Sequence, residues 1–306
     1  MKDRPPPNAS EYTKWLKEKA NLELTIADAR MGIPAYERHS IISQIPTSLS
    51  LTQVGLTLFR NNIYTPPPPP PPPPFAPSDI AGLSLWLDAS DTATVEITSS
   101  KVSTWSDKSG NLRNATQTVA ERGPTYVTSG VVFTASSTHF MNITVPFNTS
   151  HSVFLVSQSS TGTENYYYGR VDVGGAPTII QNYGGTRKIE YYDGLTDRAT
   201  FAESPPSSSP SMVNFVRSFG NTVTGFYNGN SAFSIPQTST GNTVNPWRYI
   251  GRSDNANYLN ATIFEFMIFR TALTTTQRQK VEGYLAWKWG LQASLPSSHP
   301  YFNVKP

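Results

Sequence analysis

An unbroken run of nine prolines, Pro66–Pro74, is the feature that most constrains how this chain can fold. Proline holds φ at about −65° and lacks a backbone N–H, so the run favours a polyproline II rod over a helix or a sheet. At about 3.1 Å per residue, the rod would reach roughly 28 Å. We therefore expect a stiff spacer at 65–77, between an N-terminal arm (1–64) and a separate domain (78–306). A ligand for an SH3-type groove is the alternative, and it requires a partner with such a groove.

The arm begins with a pattern that predicts a helix over about residues 9–30. Asn8 and Glu11 form a capping-box pattern, and Gly32 marks the end of the helix. An isolated helix of this length is marginal in water, so its apolar residues need a surface to pack on. That surface is either a partner protein or the chain's own domain, and residues 41–64 suit an extended segment. The predicted contact residues are Trp15, Leu16, Leu22 and Ile26.

Composition argues against several classes of protein. The net charge is only +3, charged residues are 15% of the chain, and no basic block occurs, so we expect no nucleic-acid partner. The chain has no cysteine, which excludes disulfides and thiolate metal sites and is typical of folding in a reducing compartment. The polar N-terminus does not resemble a signal peptide, and no apolar stretch is long enough to predict a membrane span.

From about residue 78 the pattern changes to short strands. Runs rich in Val, Ile, Thr, Tyr and Phe alternate with Gly, Asn, Asp and Ser, which is typical of a sandwich or a barrel. The clearest local prediction is a three-stranded meander over 212–235. Gly220-Asn221 marks its first turn, and Asn228-Gly229, a strong two-residue hairpin signal, marks its second.

The C-terminal part predicts one buried strand and one helix. The strand is 261–269, and the helix spans about 274–290, with Thr274 and Gln277 forming a capping box and Gly290 ending it. Val281, Leu285 and Trp289 recur at intervals of four and predict an apolar stripe facing the sandwich.

Three segments resemble the concanavalin-A-like, laminin-G-like jelly-roll superfamily. They are 83–91 with 102–111, the meander ending at Gly229, and 263–273 with the helix that follows; together they span roughly 78–300. The resemblance implies a mainly β fold, an antiparallel β-sandwich with a C-terminal helix. The tail 281–301 is similar to the ends of such domains in virion proteins of large double-stranded DNA viruses, especially algal ones, and in some phage and bacterial surface proteins.

Some members of the superfamily hydrolyse β-glucans, which requires two carboxylates about 5.5 Å apart. The motif that places them, Glu-x-Asp-x-x-Glu on a strand, is missing here. Glu265 stands alone on its predicted strand, so we interpret it as a structural contact. There is also no Gly-x-Ser-x-Gly elbow, and the four histidines show no ligand spacing. We therefore expect no catalytic residues and no enzymatic activity.

Calcium is the one metal that the residues leave open, because many relatives bind it through carboxylates and carbonyls. Asp88, Asp91, Asp107 and Asn111 are the candidate ligands. The alternative, which we favour, is that these residues satisfy the amides of turns. No other cofactor is expected.

Glycan binding is the ligand function that the resemblance implies. Such sites combine an aromatic platform with hydrogen-bonding side chains. Two segments, 165–170 and 247–249, fit this description, although packing of their aromatics within strands is the favoured alternative. The candidate residues are Asn165, Tyr166, Tyr167, Arg170, Trp247 and Arg248.

The order of arm, spacer and domain suggests a function. We interpret the chain as a minor capsid protein, made in the host cytoplasm and located in the virion. In this hypothesis the arm binds the major capsid protein or other minor capsid proteins, and the sandwich decorates the shell. The alternative is a lectin-like adhesion module for host glycans, and a glycoside hydrolase ranks third.

Overall fold

The structure is a computed structural model that describes residues 74–146, 150–159, 165–169, 178–183, 186–192, 198–201, 209–236, 246–252 and 257–306. All of them belong to one compact unit, Pro74–Pro306. The predicted arm and its helix lie outside the described residues, as does most of the predicted spacer. The same holds for the arm's candidate contact residues, Trp15, Leu16, Leu22 and Ile26.

The described residues form seventeen strands and one α-helix. The strands are β1 (Leu83–Asp88), β2 (Val95–Thr98), β3 (Lys101–Trp105), β4 (Ala115–Thr116), β5 (Thr125–Val127), β6 (Gly130–Phe133), β7 (Met141–Val145), β8 (His151–Ser159), β9 (Asn165–Gly169), β10 (Thr178–Tyr183), β11 (Thr186–Tyr192), β12 (Arg198–Phe201), β13 (Ser211–Arg217), β14 (Thr222–Tyr227), β15 (Asn230–Pro236), β16 (Trp247–Ile250) and β17 (Ala261–Phe269). The helix, α1, spans Thr275–Trp289.

The strands form two antiparallel sheets. Sheet A has the order β15-β14-β13-β8-β17-β6-β5, with β1 paired along β17. Sheet B has the order β12-β11-β10-β9-β16-β7-β4-β3-β2. The sheets pack face to face, and α1 covers the outer face of sheet A, so the predicted antiparallel β-sandwich with a C-terminal helix is confirmed.

The main core lies between the sheets. Alternation along β7 shows how it forms: Met141, Ile143 and Val145 are buried, whereas Asn142 and Thr144 are exposed on the opposite face. This period-two pattern is expected of a strand with one face in the core and one in solvent. Trp105 and Trp247 are among the largest side chains of this core, and both are completely buried.

Strands β1 and β17 are buried on both faces. Leu85 and Leu87 belong to the core between the sheets, whereas Trp86 packs in a second cluster beneath the helix. On β17, Phe266 and Met267 divide between the two clusters in the same way. This double burial explains why 261–269 is a nearly continuous apolar run rather than an alternating one.

The predicted meander is confirmed as β13, β14 and β15. Asn228 and Gly229 have φ values of 46° and 78°. Positive φ at both central residues is the requirement of a type I′ turn, and it explains the Asn-Gly pair. The second turn also packs closely against the C-terminal tail. A Cβ on Gly229 would lie only 2.9 Å from Leu295 Cδ2, so a glycine fits there best.

The predicted C-terminal helix is also confirmed. Thr274 Oγ1 accepts a hydrogen bond from Gln277 N, the Gln277 side chain completes the capping box, and Gly290 ends the helix with φ 70°. Val281 and Leu285 are buried against sheet A, whereas Trp289 is half-buried. Among the described residues, no helix has the length and apolar composition needed to cross a membrane.

Candidate functional site

Glu265, the lone carboxylate of β17, lies at the centre of a polar cluster between sheet A and the helix. It is 1% exposed. It accepts hydrogen bonds from Trp86 Nε1 and Trp289 Nε1, both at 2.7 Å, and from Tyr284 OH at 3.2 Å. Lys288 Nζ lies 2.8 Å from its second oxygen. Burial raises the pKa of the Glu265 carboxyl, and the nearby lysine offsets part of that effect.

Asp88 is the cross-strand neighbour of Glu265. Two carboxylates placed opposite each other would repel, but Lys288 Nζ lies between them, 2.7 Å from Asp88. Lys108 Nζ also contacts Asp88, at 2.9 Å, and Asp91, at 2.8 Å. Burial opposes ionisation of Asp88, but hydrogen bonds from the two lysines and Ser90 outweigh it and lower the pKa of its carboxyl.

These contacts bear on the calcium hypothesis. Lysine ammonium groups already neutralise Asp88 and Asp91, so a divalent cation there would have to displace them. Asp107 instead accepts hydrogen bonds from backbone amides, including those of Trp86 and Ser109, and Asn111 donates to the Leu83 carbonyl. Within the described part of the chain, no three His, Cys, Asp or Glu side chains are grouped as a metal site. Asp88 and Asp107 accept hydrogen bonds from the amides of Ser90 and Ser109, which is the turn role that the sequence suggested for these two residues.

The same cluster is poorly arranged for hydrolysis. A glycosidase pair needs two carboxyl groups that a sugar can reach, one of them free to give up a proton. Here Lys288 occupies the space between Asp88 and Glu265, and both carboxylates are buried. The cluster joins the helix to β1 and β17, which matches the structural role predicted for Glu265.

The residues predicted to bind glycans lie at several different places. Asn165, Tyr166 and Tyr167 lie on β9, where the structure describes the backbone only, and Arg170 lies outside the described residues. Arg248 is exposed on β16. Trp247, however, is completely buried, with its ring 5.1 Å from that of His151. Assigning Trp247 to an exposed sugar platform was wrong, because its indole belongs to the core.

Tyr249, two residues after Trp247, lies at the surface of the sheet instead. Trp247 pairs with Val145, and Tyr249 pairs with Asn142, so three residues of β16 (247–249) lie opposite four of β7 (142–145). Cross-strand partners share a face, and Val145 is buried whereas Asn142 is exposed, so Trp247 and Tyr249 lie on opposite faces of sheet B at this bulge. Tyr249 is half-buried beside the exposed Asn142, on the face that points away from the core.

Tyr249 belongs to a group of three aromatic residues and one arginine that we call the outer patch. Its members are Phe140, Tyr249, Arg252 and Tyr258. The Phe140 ring lies 5.5 Å from Tyr249 and 6.3 Å from Tyr258. The Arg252 guanidinium lies 4.6 Å from the Tyr249 ring and 5.0 Å from the Phe140 ring. Phe140 is buried, yet it is a member of neither hydrophobic core cluster, because the patch itself covers it.

The outer patch has the elements of a small-molecule recognition surface. Two half-buried tyrosine rings, Tyr249 and Tyr258, lie at its surface, and the Arg252 guanidinium lies over the Tyr249 ring. Asn142 is exposed beside them, and its side-chain amide donates to the Thr116 carbonyl. Sequence reasoning named 247–249 but missed Phe140, Arg252 and Tyr258. An isolated β-bridge brings Arg252 and Tyr258 together, and no local sequence motif predicts this bridge.

Comparisons with known proteins show the fold. No protein-family model matches the chain, and no curated protein matches its sequence. Among solved structures, the binding domain of Paraclostridial Mosquitocidal Protein 1 has a TM-score of 0.51 at 13% identity, covering 68% of this chain and 53% of that one. A mutant of HCR/D has a TM-score of 0.50 at 14% identity, covering 68% and 54%.

A third structure is domain 4 of AbnA, a GH43 extracellular arabinanase from Geobacillus stearothermophilus, in complex with arabinotriose. Its TM-score is 0.49 at 17% identity, covering 64% of this chain and 95% of that one. The present chain spans about half the length of the first two structures. At such identities the first two matches show that the β-sandwich fold is shared.

Proposed function

We propose that the domain is a carbohydrate-binding module that recognises a glycan through the outer patch. The single observation that carries the proposal is the half-exposed Tyr249, flanked by Arg252 and Asn142 on the face of sheet B that points away from the core. A pyranose has one face rich in C–H groups, which suits an aromatic ring, and hydroxyls at its rim, which suit guanidinium and amide groups. A shared fold does not assign this function, so the proposal rests on the patch.

We further propose that the domain binds without catalysing a reaction. Lys288 and two tryptophan N–H groups hold the Glu265 carboxylate as a structural group. A module of this kind uses its fold as a scaffold for recognition, and chemistry on the sugar is left to other proteins.

A glycan array probed with the full chain tests the proposal, followed by calorimetry on the best ligand. Replacing Tyr249 with alanine should weaken binding by about 30-fold, the size expected when a central aromatic contact is lost. Phe219→Ala is the matched control, because Phe219 is an exposed aromatic (47%) in the turn between β13 and β14. Binding that survives Tyr249→Ala unchanged, or that responds equally to both variants, would overturn the assignment of the site.

The predicted virion role concerns where the module is displayed, whereas the glycan proposal concerns what the module binds. It is supported by the order of arm, proline run and domain, and by the resemblance of the tail 281–301 to virion proteins. The arm would then bind other capsid proteins. Mass spectrometry of purified particles from the source tests this role, since a capsid protein must be present in a fixed ratio to the major shell protein.

A further inference from the structure

Cationic side chains from three elements converge on the segment His139–Phe140, beside the outer patch. Arg122 follows β4, Lys101 begins β3, and Arg252 follows β16. The Arg122 guanidinium lies 6.0 Å from the Phe140 ring, and Lys101 Nζ lies 3.0 Å from His139 Nε2. The Phe140 amide also donates to the Arg122 carbonyl, which fixes the two residues side by side.

Two of these cations retain donors for a ligand. Arg122 is exposed, and within the described residues its guanidinium contacts the Phe140 ring but no carboxylate. Lys101 is half-buried, its Nζ lies 3.0 Å from His139 Nε2, and within the described residues no carboxylate pairs with it, so its charge is uncompensated. An anion bound beside these uncompensated cations would be stabilised.

His139 supports this arrangement through its protonation state. It is 2% exposed, and burial lowers the pKa of its imidazole, with the positive charge of Lys101 acting in the same direction. The lowered pKa favours the neutral ring, which adds no further charge beside Lys101. Lys101 and Arg122 remain as the cations that this flank presents.

From this geometry we infer that the outer patch selects carboxylated sugars, such as uronic acids, over neutral ones. The inference rests on the proposed function, because it assigns a ligand class to that same patch. The Tyr249 ring takes the C–H face of one sugar residue, while Arg122 and Lys101 take the carboxylate of the same residue or its neighbour. A guanidinium binds a carboxylate with two parallel hydrogen bonds, which a neutral hydroxymethyl group cannot reproduce.

The matched ligands for the test are an oligogalacturonate and its fully methyl-esterified form, which share a backbone and differ in charge. Calorimetry with the full chain should give at least about tenfold tighter binding of the acid form, given the strength of charge-assisted hydrogen bonds. Arg122→Gln should weaken binding of the acid form about three- to tenfold and leave the ester unaffected. Added salt should weaken binding of the acid form selectively.

Lys305→Gln is the control for net charge, because Lys305 is exposed beside Trp287 on the helix side of the sandwich. It should leave both affinities unchanged. Equal affinity for the two ligands, or equal losses in the Arg122 and Lys305 variants, would overturn the inference. If neutral glycans bind through Tyr249 without any preference for charge, the charge selectivity fails and the proposed function stands. If no glycan on the array binds, both fail.

Discussion

Replacing Glu265 with glutamine should destabilise the domain strongly without changing its shape. The carboxylate accepts from two indole N–H groups, a tyrosine hydroxyl and Lys288. Glutamine is nearly isosteric but keeps only one acceptor oxygen. Because the two indoles bond to different oxygens, one indole N–H must then face an amide NH₂ group.

The magnitude follows from these contacts. One buried donor left without a partner costs about 1–3 kcal/mol, and loss of a charged partner from a buried ion pair brings the total to about 3–5 kcal/mol. Lys288 is 21% exposed and retains Asp88, so the lower half of that range is the better expectation. For a domain of this size each kcal/mol lowers Tm by about 2–4 °C, which predicts a fall of roughly 6–15 °C.

Urea denaturation followed by tryptophan fluorescence measures the free energy of unfolding directly, and calorimetry gives Tm. Glu121→Gln is the matched control, since Glu121 is exposed and the same change there should alter stability by less than about 0.5 kcal/mol. A loss below about 1 kcal/mol for Glu265→Gln would refute the reasoning, because the carboxylate would then contribute little to docking of the helix.

Two further perturbations test other parts of the fold. Gly229→Ala should cost about 1–2 kcal/mol more than Gly110→Ala in urea denaturation; both have positive φ, but a Cβ on Gly229 meets Leu295, whereas one on Gly110 meets nothing within 4 Å. Asp88→Asn should lower stability at neutral pH, and its difference from the unmodified chain should shrink below about pH 4, because a lowered folded-state pKa contributes stability that is lost on acidification. A pH-independent difference would contradict the second prediction.

Local sequence signals predicted the hairpins and the helix correctly because their causes are local. The Asn228-Gly229 pair has the positive φ values that a type I′ turn requires. Thr274 and Gln277 cap the helix through groups three residues apart, and Gly290 ends it. Each of these features depends on a few neighbouring residues, so the sequence itself contains the information needed to predict it.

The polar cluster around Glu265 shows what sequence reasoning could recover only in part. The sequence indicated a structural carboxylate, since the second catalytic group was missing. It did not reveal that Trp86, Trp289 and Lys288 would supply the partners, because they come from a distant strand and a later helix. Contacts across such separations depend on how the helix docks on sheet A, which no local pattern encodes.

The outer patch shows most clearly the difference between what the sequence predicts and what only the tertiary structure decides. By itself, the sequence determined the β-sandwich class, the meander and the helix, and it named 247–249 as one candidate binding segment. Strict alternation would have placed Trp247 and Tyr249 on one face. The bulge against β7 places them on opposite faces, and the partners of Tyr249 come from other parts of the chain. Only the tertiary structure decided which ring is exposed, because register between strands is set by the packing of the whole core rather than by either strand alone.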